Sequence, residues 1–390
     1  MYRAILCLFL MLYATECLSF VTLSQASDYS MQHPEFPEPD NDIIDNPSFT
    51  HFYQSQRPSM AKQLGLWLGI VKSDWNPYAF YRLLTTTAEH YKPLIGYYAA
   101  TVTATQGTQC IVISDLNGNF HSLVRILQEL HTRKVIDNNF KLIHPHLYFI
   151  INGNGIGPSA YALQTLELLL RLLQANPTTC IYTTGYYEEK KRWAEGPFRQ
   201  ALDAVFTPRK QALPLLENLF NALFAATYIS TPDSETSLRI SYLGNENRQL
   251  KGDVCSRKVP VQTITPCLLT QKEQSQEPVS VLVTAPKSSD LTQDIPVLNF
   301  KQDKNRAHWS FTSSASMQYR MKYRYFYDAF AVITIGKTIN SSTITLYNRD
   351  VRENKHFNYT AARNVYTGKK VAANSQSSDP LDYLAYGRNQ

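Results

Sequence analysis

Three short polar turns, each following an apolar strand, constrain the fold of this chain most strongly. The strand and turn pairs occupy residues 110–120, 147–158 and 180–189. Apolar helical patterns lie between them, over residues 123–130 and 161–173. This alternation of strand and helix predicts a parallel sheet with right-handed crossovers, whose strand ends bring the three turns to one edge.

The composition indicates a packed globular protein. The chain has 390 residues, of which 44% are hydrophobic and 12% aromatic, so a large core can form. The formal net charge is only +6, and basic residues are mixed with acidic ones, as in residues 188–192. We therefore expect no role in nucleic-acid binding.

The first 26 residues resemble a secretory signal peptide. A basic start is followed by an apolar run over residues 4–14, which is too short to span a bilayer. Cleavage after Ser19 and cleavage after Ala26 are both compatible with the sequence. This pattern predicts export to the periplasm or secretion. An uncleaved apolar anchor or a buried helix is the alternative, and no other membrane contact is expected.

The remaining chain divides into four predicted regions. Residues 27–58 are rich in Pro, Asp, Ser and Asn and predict an extended linker, and residues 59–105 predict an N-terminal helical extension. Residues 106–350 form the predicted α/β body, and residues 351–390 a C-terminal tail. The expected elements outside the three turns are helices over 60–71, 78–91 and 213–226, an extended segment over 238–243, a polar insertion over 248–276, a strand over 279–284, and a hairpin of 330–335 and 342–347.

Four cysteines remain once the predicted leader is removed. Cys110 and Cys180 begin apolar strands, which indicates core positions. Cys255 and Cys267 lie in a polar stretch and are able to bridge in an oxidising compartment. None of the four has the spacing of a zinc site.

The three turns carry the sequences DLNGNF (115–120), NGNGIGP (152–158) and TTGYYEE (183–189). In order and spacing they resemble the strand ends of calcineurin-like metallophosphoesterases, most closely the phosphoprotein phosphatase branch, with its GDxHG, GDxxDRG and GNHE motifs. Residues 240–244 stand where that family has its HGG strand, and residues 281–286 resemble its SAPN strand. The resemblance implies an α/β fold, an αβ(βα) sandwich with an N-terminal helical extension, and in active members a two-metal centre that hydrolyses phosphoesters.

The metal-binding side chains of the first two motifs are largely replaced. Asp115 occupies the position of the first aspartate, but the histidine two residues later is Asn117. The metal-bridging aspartate falls on Asn154. The second aspartate falls on Gly157 and the phosphate-binding arginine on Pro158. The bridging charge and the bidentate guanidinium are therefore missing.

The third motif and the HGG turn are replaced in the same way. The asparagine ligand falls on Tyr186, the general-acid histidine on Tyr187 and the preceding arginine on Thr184, while Glu188 is kept. The HGG histidine falls on Tyr242. Two divalent cations need several anionic and imidazole ligands, so no cofactor is expected, and Asp115 and Asn154 are the remaining metal-binding candidates.

The sequence thus predicts a pseudophosphatase that acts by binding. Two structural interpretations stay open at the turns, because Asp115 could cap the following turn and Glu188 could simply begin a helix. The alternative function is an active metallophosphoesterase with a rearranged centre for divalent Mn, Fe or Zn. Its ligands would be Asp115, Asn117, Asn154 and Glu188, together with His121 or His308.

A segment of alternating aromatic and basic residues over 319–327 is the predicted contact for a partner. Alternation there indicates a strand with one aromatic and one basic face. Such a face suits a protein partner that is phosphorylated or otherwise anionic.

Overall fold

The computed structural model describes residues 20–33, 35, 75–205, 212–242, 264–267, 279–285, 298–303, 306–314, 326–353, 356–371, 379 and 381. Within these ranges the helices are α1 Leu23–Gln32, α2 Pro77–Tyr91, α3 Phe120–Thr132, α4 Ala162–Ala175, α5 Lys190–Trp193, α6 Pro197–Val205 and α7 Ala212–Asn221. Short 3-10 turns occupy Lys92–Leu94 and Ile339–Ser341.

The strands of the described ranges form two sheets. The strands are β1 Ala99–Thr103, β2 Gln109–Ser114, β3 Leu147–Asn152, β4 Cys180–Thr183, β5 Ala226–Ser230, β6 Ser237–Ile240, β7 Ile264–Cys267, β8 Val279–Thr284, β9 Asn299–Asp303, β10 Arg306–Ser310, β11 Tyr327–Thr334, β12 Thr343–Asp350, β13 Asn358–Tyr359 and β14 Arg363–Asn364. The first sheet has the order β13-β12-β11-β2-β3-β4, with β14 also on β12, and the second has the order β7-β1-β5-β6-β8-β10-β9.

Strict alternation of side chains gives the first sheet two buried faces. Strands β2, β3 and β4 are parallel, whereas β11 is antiparallel to β2. Ile111 and Ile113 of β2 pack on the helices, while Cys110 and Val112 pack on the second sheet. A strand that is apolar at every position is expected where both faces of a sheet are covered.

The described molecule therefore has a helical layer, the first sheet and the second sheet in succession. The helices share one core with the outer face of the first sheet, and a second core fills the space between the sheets. This confirms the expected α/β sandwich. The β11–β12 hairpin, the strand over 279–284 and the helix over 78–91 are confirmed as well.

The N-terminal segment differs from its prediction. Residues 23–32 form α1, which begins at a Thr22–Gln25 capping box and buries Leu23, Ala26 and Tyr29. The prediction of an extended linker from residue 27 is thus wrong over residues 27–32, because an apolar stripe at every third position packs this helix on α3. The same helix includes the last residues of the predicted leader. The leader up to residue 19, the linker beyond residue 35 and the helix over 60–71 lie outside the described residues.

The boundaries of the body also need correction. Strand β1 starts at Ala99, before the expected boundary at residue 106, because it pairs with β5 in the second sheet. At the other end, β13 and β14 extend the first sheet into the predicted tail, and Asp379 is a buried ion-pair partner of Arg133. The body therefore continues beyond residue 350.

Strands β5, β7, β9 and β10 were also not predicted. The helix expected over 213–226 ends at Asn221, and Ala226 already belongs to β5. Strand β7, Ile264–Cys267, lies within the predicted polar insertion and pairs with β1. Cys255 and the alternating segment over 319–325 lie outside the described residues. None of the described helices is long and apolar enough to cross a membrane.

Candidate functional site

The three turns meet at one edge of the first sheet, as predicted. Each turn follows one of the parallel strands β2, β3 and β4, and backbone bonds join the first turn to the second. The amide of Asn117 donates to the carbonyl of Asn154 at 2.7 Å, and that of Gly118 donates to Gly155 at 3.1 Å. The carboxyl ends of parallel strands in the second sheet reach the same edge and bring Tyr242 and Thr312 to it.

The backbone conformation of these turns explains why they contain Asp, Asn and Gly, without reference to a metal. Asp115, Asn117 and Asn154 have φ values of 59°, 52° and 48°, in the left-handed region. Asp and Asn adopt this region more readily than other residues with a side chain. Gly185 is required for close approach, because a Cβ there would collide with the backbone amide of Asn154 and lie 2.7 Å from Glu188 Oε2.

Asp115 and Asn154 form the polar centre of the site. The Asn154 amide donates from Nδ2 to Asp115 Oδ1 at 2.8 Å, and its Oδ1 accepts the backbone N–H of Tyr187 at 3.1 Å. Asp115 is 9% exposed, and burial raises the pKa of its carboxyl, against hydrogen bonds from Asn154, Asn117 and Thr312 that lower it. Asp115 does not cap the following helix, since Asn119 caps α3 by accepting from the amide of Ser122. The capping interpretation of Asp115 is therefore wrong.

Glu188 is a buried acceptor that hydrogen-bonds to both the second and the third turn. Its Oε2 accepts the backbone N–H groups of Asn154 at 2.9 Å and Gly185 at 2.8 Å. Its Oε1 accepts the Tyr182 hydroxyl at 2.7 Å and the backbone N–H of Ile156 at 3.2 Å. Burial raises its pKa, while these donors favour the charged form. Helix α5 starts at Lys190 with Glu189 as its N-cap residue, so the charged helix start expected at Glu188 and Glu189 is present, although the Glu188 side chain bonds to the turns.

Three tyrosines surround this centre. Tyr187 and Tyr242 are half-buried, and burial together with the nearby Asp115 raises the pKa of both phenols, that of Tyr187 to about 12. Tyr186 is 37% exposed, and the guanidinium of Arg192 lies 4.2 Å from the centre of its ring. Phenol side chains therefore stand where the resemblance implies asparagine and histidine ligands.

The two histidines proposed for a rearranged metal site contact other parts of the protein. His121 Nε2 lies 2.8 Å from the carbonyl of His33 and 3.2 Å from that of Ser30, so it contacts the N-terminal segment. His308 Nε2 lies 2.7 Å from Thr284 Oγ1.

The donors at the turns do not fit a two-metal centre. Among the residues that the structure describes, no group of three or more His, Cys, Asp or Glu side chains could hold a metal ion. Both Glu188 oxygens accept two hydrogen bonds each, and Asp115 Oδ1 accepts the Asn154 amide. Ligation of a metal by the Glu188 oxygens would therefore have to break hydrogen bonds that connect the turns.

A run of hydroxyl groups after β10 also lies at this edge and was not predicted from the sequence. Thr312 Oγ1 donates to the carbonyl of Asp115 at 3.3 Å, and Ser314 Oγ donates to the same carbonyl at 3.1 Å. Ser313 pairs with Ser114, whose amide donates to Ser313 Oγ at 2.8 Å. The signal was the Ser/Thr sequence of residues 310–314 directly after a strand, where side chains reach the edge of the sheet.

No protein-family model and no curated protein matches the sequence. Among solved structures, 71 chains match. One of them is a protein serine/threonine phosphatase from Saccharomyces cerevisiae with similarity to human phosphatase PP5. It is 9% identical, with a TM-score of 0.44, over 78% of this chain and 93% of that chain. The chemistry of the site therefore has to be inferred from this chain's own contacts.

Proposed function

We propose that this protein is a pseudophosphatase: a phosphatase-like α/β sandwich that binds a protein partner and does not hydrolyse phosphoesters. One observation carries the proposal. The polar groups of the three turns bond to one another, with Glu188 accepting from both later turns and Asn154 donating to Asp115. Hydrolysis by a two-metal centre requires those groups to hold cations and a hydroxide.

The rearranged metallophosphoesterase gains no support from the histidine contacts. It needs an imidazole beside Asp115, whereas His121 contacts the N-terminal segment and His308 contacts Thr284. The anionic or phosphorylated partner stays a prediction, because most of the basic and aromatic segment from which it was predicted, residues 319–327, lies outside the described residues.

Export through the N-terminal leader is part of the same proposal. Phe20 is 2% exposed and packs against Tyr29 and Phe120, with ring centroids 5.1 and 5.3 Å away. Cleavage after Ser19 keeps these contacts, whereas cleavage after Ala26 removes Phe20. Cleavage after Ser19 is the option that the packing supports.

Metal content and turnover test the function. The purified chain, dialysed against Mn²⁺, is expected to contain well under one equivalent of metal and to show no turnover of an aryl phosphate above the buffer rate. The matched variant is Asp115→Ala. Binding of two metals per chain, with turnover that Asp115→Ala abolishes, would overturn the proposal.

A further inference from the structure

The N-terminal segment, residues 20–33, packs on α3 and is held at both ends by hydrogen bonds. At its start, the backbone N–H and the hydroxyl of Ser24 both donate to Asn138 Oδ1, at 3.0 and 2.9 Å. At its end, Nε2 of His121 in α3 lies 3.2 Å from the carbonyl of Ser30 and 2.8 Å from that of His33. Because imidazole changes its charge near neutral pH, the second of these two contacts is open to control by pH.

The contacts of His121 favour its neutral form. Carbonyl oxygens only accept hydrogen bonds, so Nε2 carries the proton of the neutral ring. Within the described residues, Nδ1 of His121 is buried and has no hydrogen-bond partner. A second proton would therefore add an N–H group without an acceptor, and a positive charge, to a side chain that is 5% exposed. Protonation of His121 thus opposes the docked position of the segment.

Both signs of charge surround the imidazole, and their sum determines the direction of the effect. The titratable and charged groups there are Arg125 on α3, His33 and Glu35 of the N-terminal region, Tyr161 before α4 with its ring centre 5.0 Å away, and Asp328 of β11, which bonds to Arg125. Burial lowers the pKa of His121 from its ordinary value of 6.5 and outweighs the opposite effect of Glu35 and the two carbonyls, while Arg125 also lowers it. The docked state therefore binds this proton less tightly than a hydrated His121, so docking is strongest above pH 6.5 and weakens as pH falls below it.

Glu35 titrates in a different pH range. Burial raises the pKa of its carboxyl, but two hydrogen bonds from the Arg125 guanidinium, at 2.7 and 2.8 Å, outweigh burial and hold the pKa below 4.5. A change of pH between 7.5 and 5.5 therefore leaves Glu35 charged and acts on His121.

We propose that His121 is a pH-sensitive latch, which holds residues 30–33 against α3 at neutral pH and loosens them in mildly acidic solution. The start of the segment stays docked, because the buried side chains of Phe20, Leu23 and Ala26 carry no titratable group. Glu35 follows closely and accepts from Asn119 Nδ2, in the first turn, at 3.4 Å. Loosening of residues 30–33 therefore acts on a contact of the first turn, so the latch connects pH to the edge where the three turns meet.

Native-state hydrogen exchange on the full-length chain tests the latch. Exchange of the backbone amides of residues 29–32 is followed by mass spectrometry between pH 7.5 and 5.5 and corrected for the intrinsic exchange rate, which gives the opening constant. Release of one proton from a group of ordinary pKa 6.5 limits the change over this range to about tenfold. We expect the opening constant to rise by about threefold or more as pH falls, with no such change for the amides of α4.

Matched variants connect the effect to His121. His121→Gln keeps a side-chain N–H donor and cannot titrate, so its opening constant should no longer depend on pH in this range. His90→Gln makes the same change at an exposed histidine of α2 and should keep the pH dependence of the wild type. If His121→Gln does not fold, NMR titration of the histidine-labelled wild type decides the matter, with an expected midpoint for His121 below 6.5.

Three results would each overturn the inference. They are an opening constant of the wild type that does not change with pH, the same pH dependence in His121→Gln as in the wild type, and a His121 midpoint at or above 6.5. None of them bears on phosphoester hydrolysis, so the latch is tested separately from the proposed function.

Discussion

Replacement of Glu188 by alanine tests whether this side chain stabilises the contact between the turns. The change removes an acceptor that takes four hydrogen bonds of 2.7 to 3.2 Å, three from backbone N–H groups and one from the Tyr182 hydroxyl. A buried donor left without an acceptor costs about 1–3 kcal/mol, and four donors are affected here, so we expect a loss of about 3–5 kcal/mol. An unfolding entropy of about 2.1 cal/mol/K per residue makes 1 kcal/mol worth only about 1 to 2 °C in a chain of this length, so we expect Tm to fall by about 5 °C.

The assay is thermal unfolding followed by circular dichroism at pH 7. The matched control is Glu189→Ala, which removes only a partly exposed carboxylate 3.1 Å from Lys191, so its effect should stay within about 0.5 kcal/mol. Because the four donors remain in Glu188→Ala, acetate should restore part of the lost Tm, and chloride at equal ionic strength should not. A loss below about 1 kcal/mol would refute the role of Glu188 as the connection between the turns.

Two further substitutions probe the remaining buried carboxyls. Asn154→Asp places a second carboxylate against Asp115, so like-charge repulsion should lower Tm at pH 7. The difference in Tm from wild type should shrink as the pH falls toward 4, because the carboxyl groups become protonated. An unchanged Tm at pH 7 would contradict the contact between residues 154 and 115. Glu167 is fully buried in α4, and burial raises its pKa from 4.5 to about 7 despite the nearby Arg171 and a bond from Trp75. The folded state thus holds this proton more tightly than the unfolded state, so wild type should lose up to about 3 kcal/mol of stability between pH 4.5 and 7 relative to Glu167→Gln. Urea unfolding at pH 5 and pH 8 measures this difference, and a value independent of pH would exclude it.

Much of the fold could be predicted because its strands and helices have strong local patterns. Strands β2 and β3 each contain an uninterrupted apolar run, over residues 110–113 and 147–151, that is followed by a polar turn, and this identifies both their direction and their edge. Strand β5 was missed because it follows α7 after a short break and continues an apolar run that also suits a helix. Helix α1 was missed because its sequence, LSQASDYSMQ, is polar except for the stripe that packs on α3.

The meeting of the three turns was predicted, but the hydrogen bonds that connect them were not. The meeting of the three turns follows from strand direction alone. The role of Glu188 could not be found, because the acidic and basic run over 188–192 looks solvent-exposed, and only the fold shows that Glu188 is 2% exposed while Lys190 is exposed. Hydrogen bonds from Thr312 and Ser314 come from a distant part of the sequence and depend on how the two sheets approach each other.

The segment that begins at Phe20 has a practical consequence for producing the protein. Phe20, Leu23, Ala26 and Tyr29 are all at most 5% exposed and belong to the same core as the helices. Glu35 then accepts two bonds from the Arg125 guanidinium, at 2.7 and 2.8 Å, and that group also holds Asp328. An expression clone designed to omit the leader should therefore start no later than Phe20, because starting at residue 27 would expose the apolar side of α3 and invite aggregation.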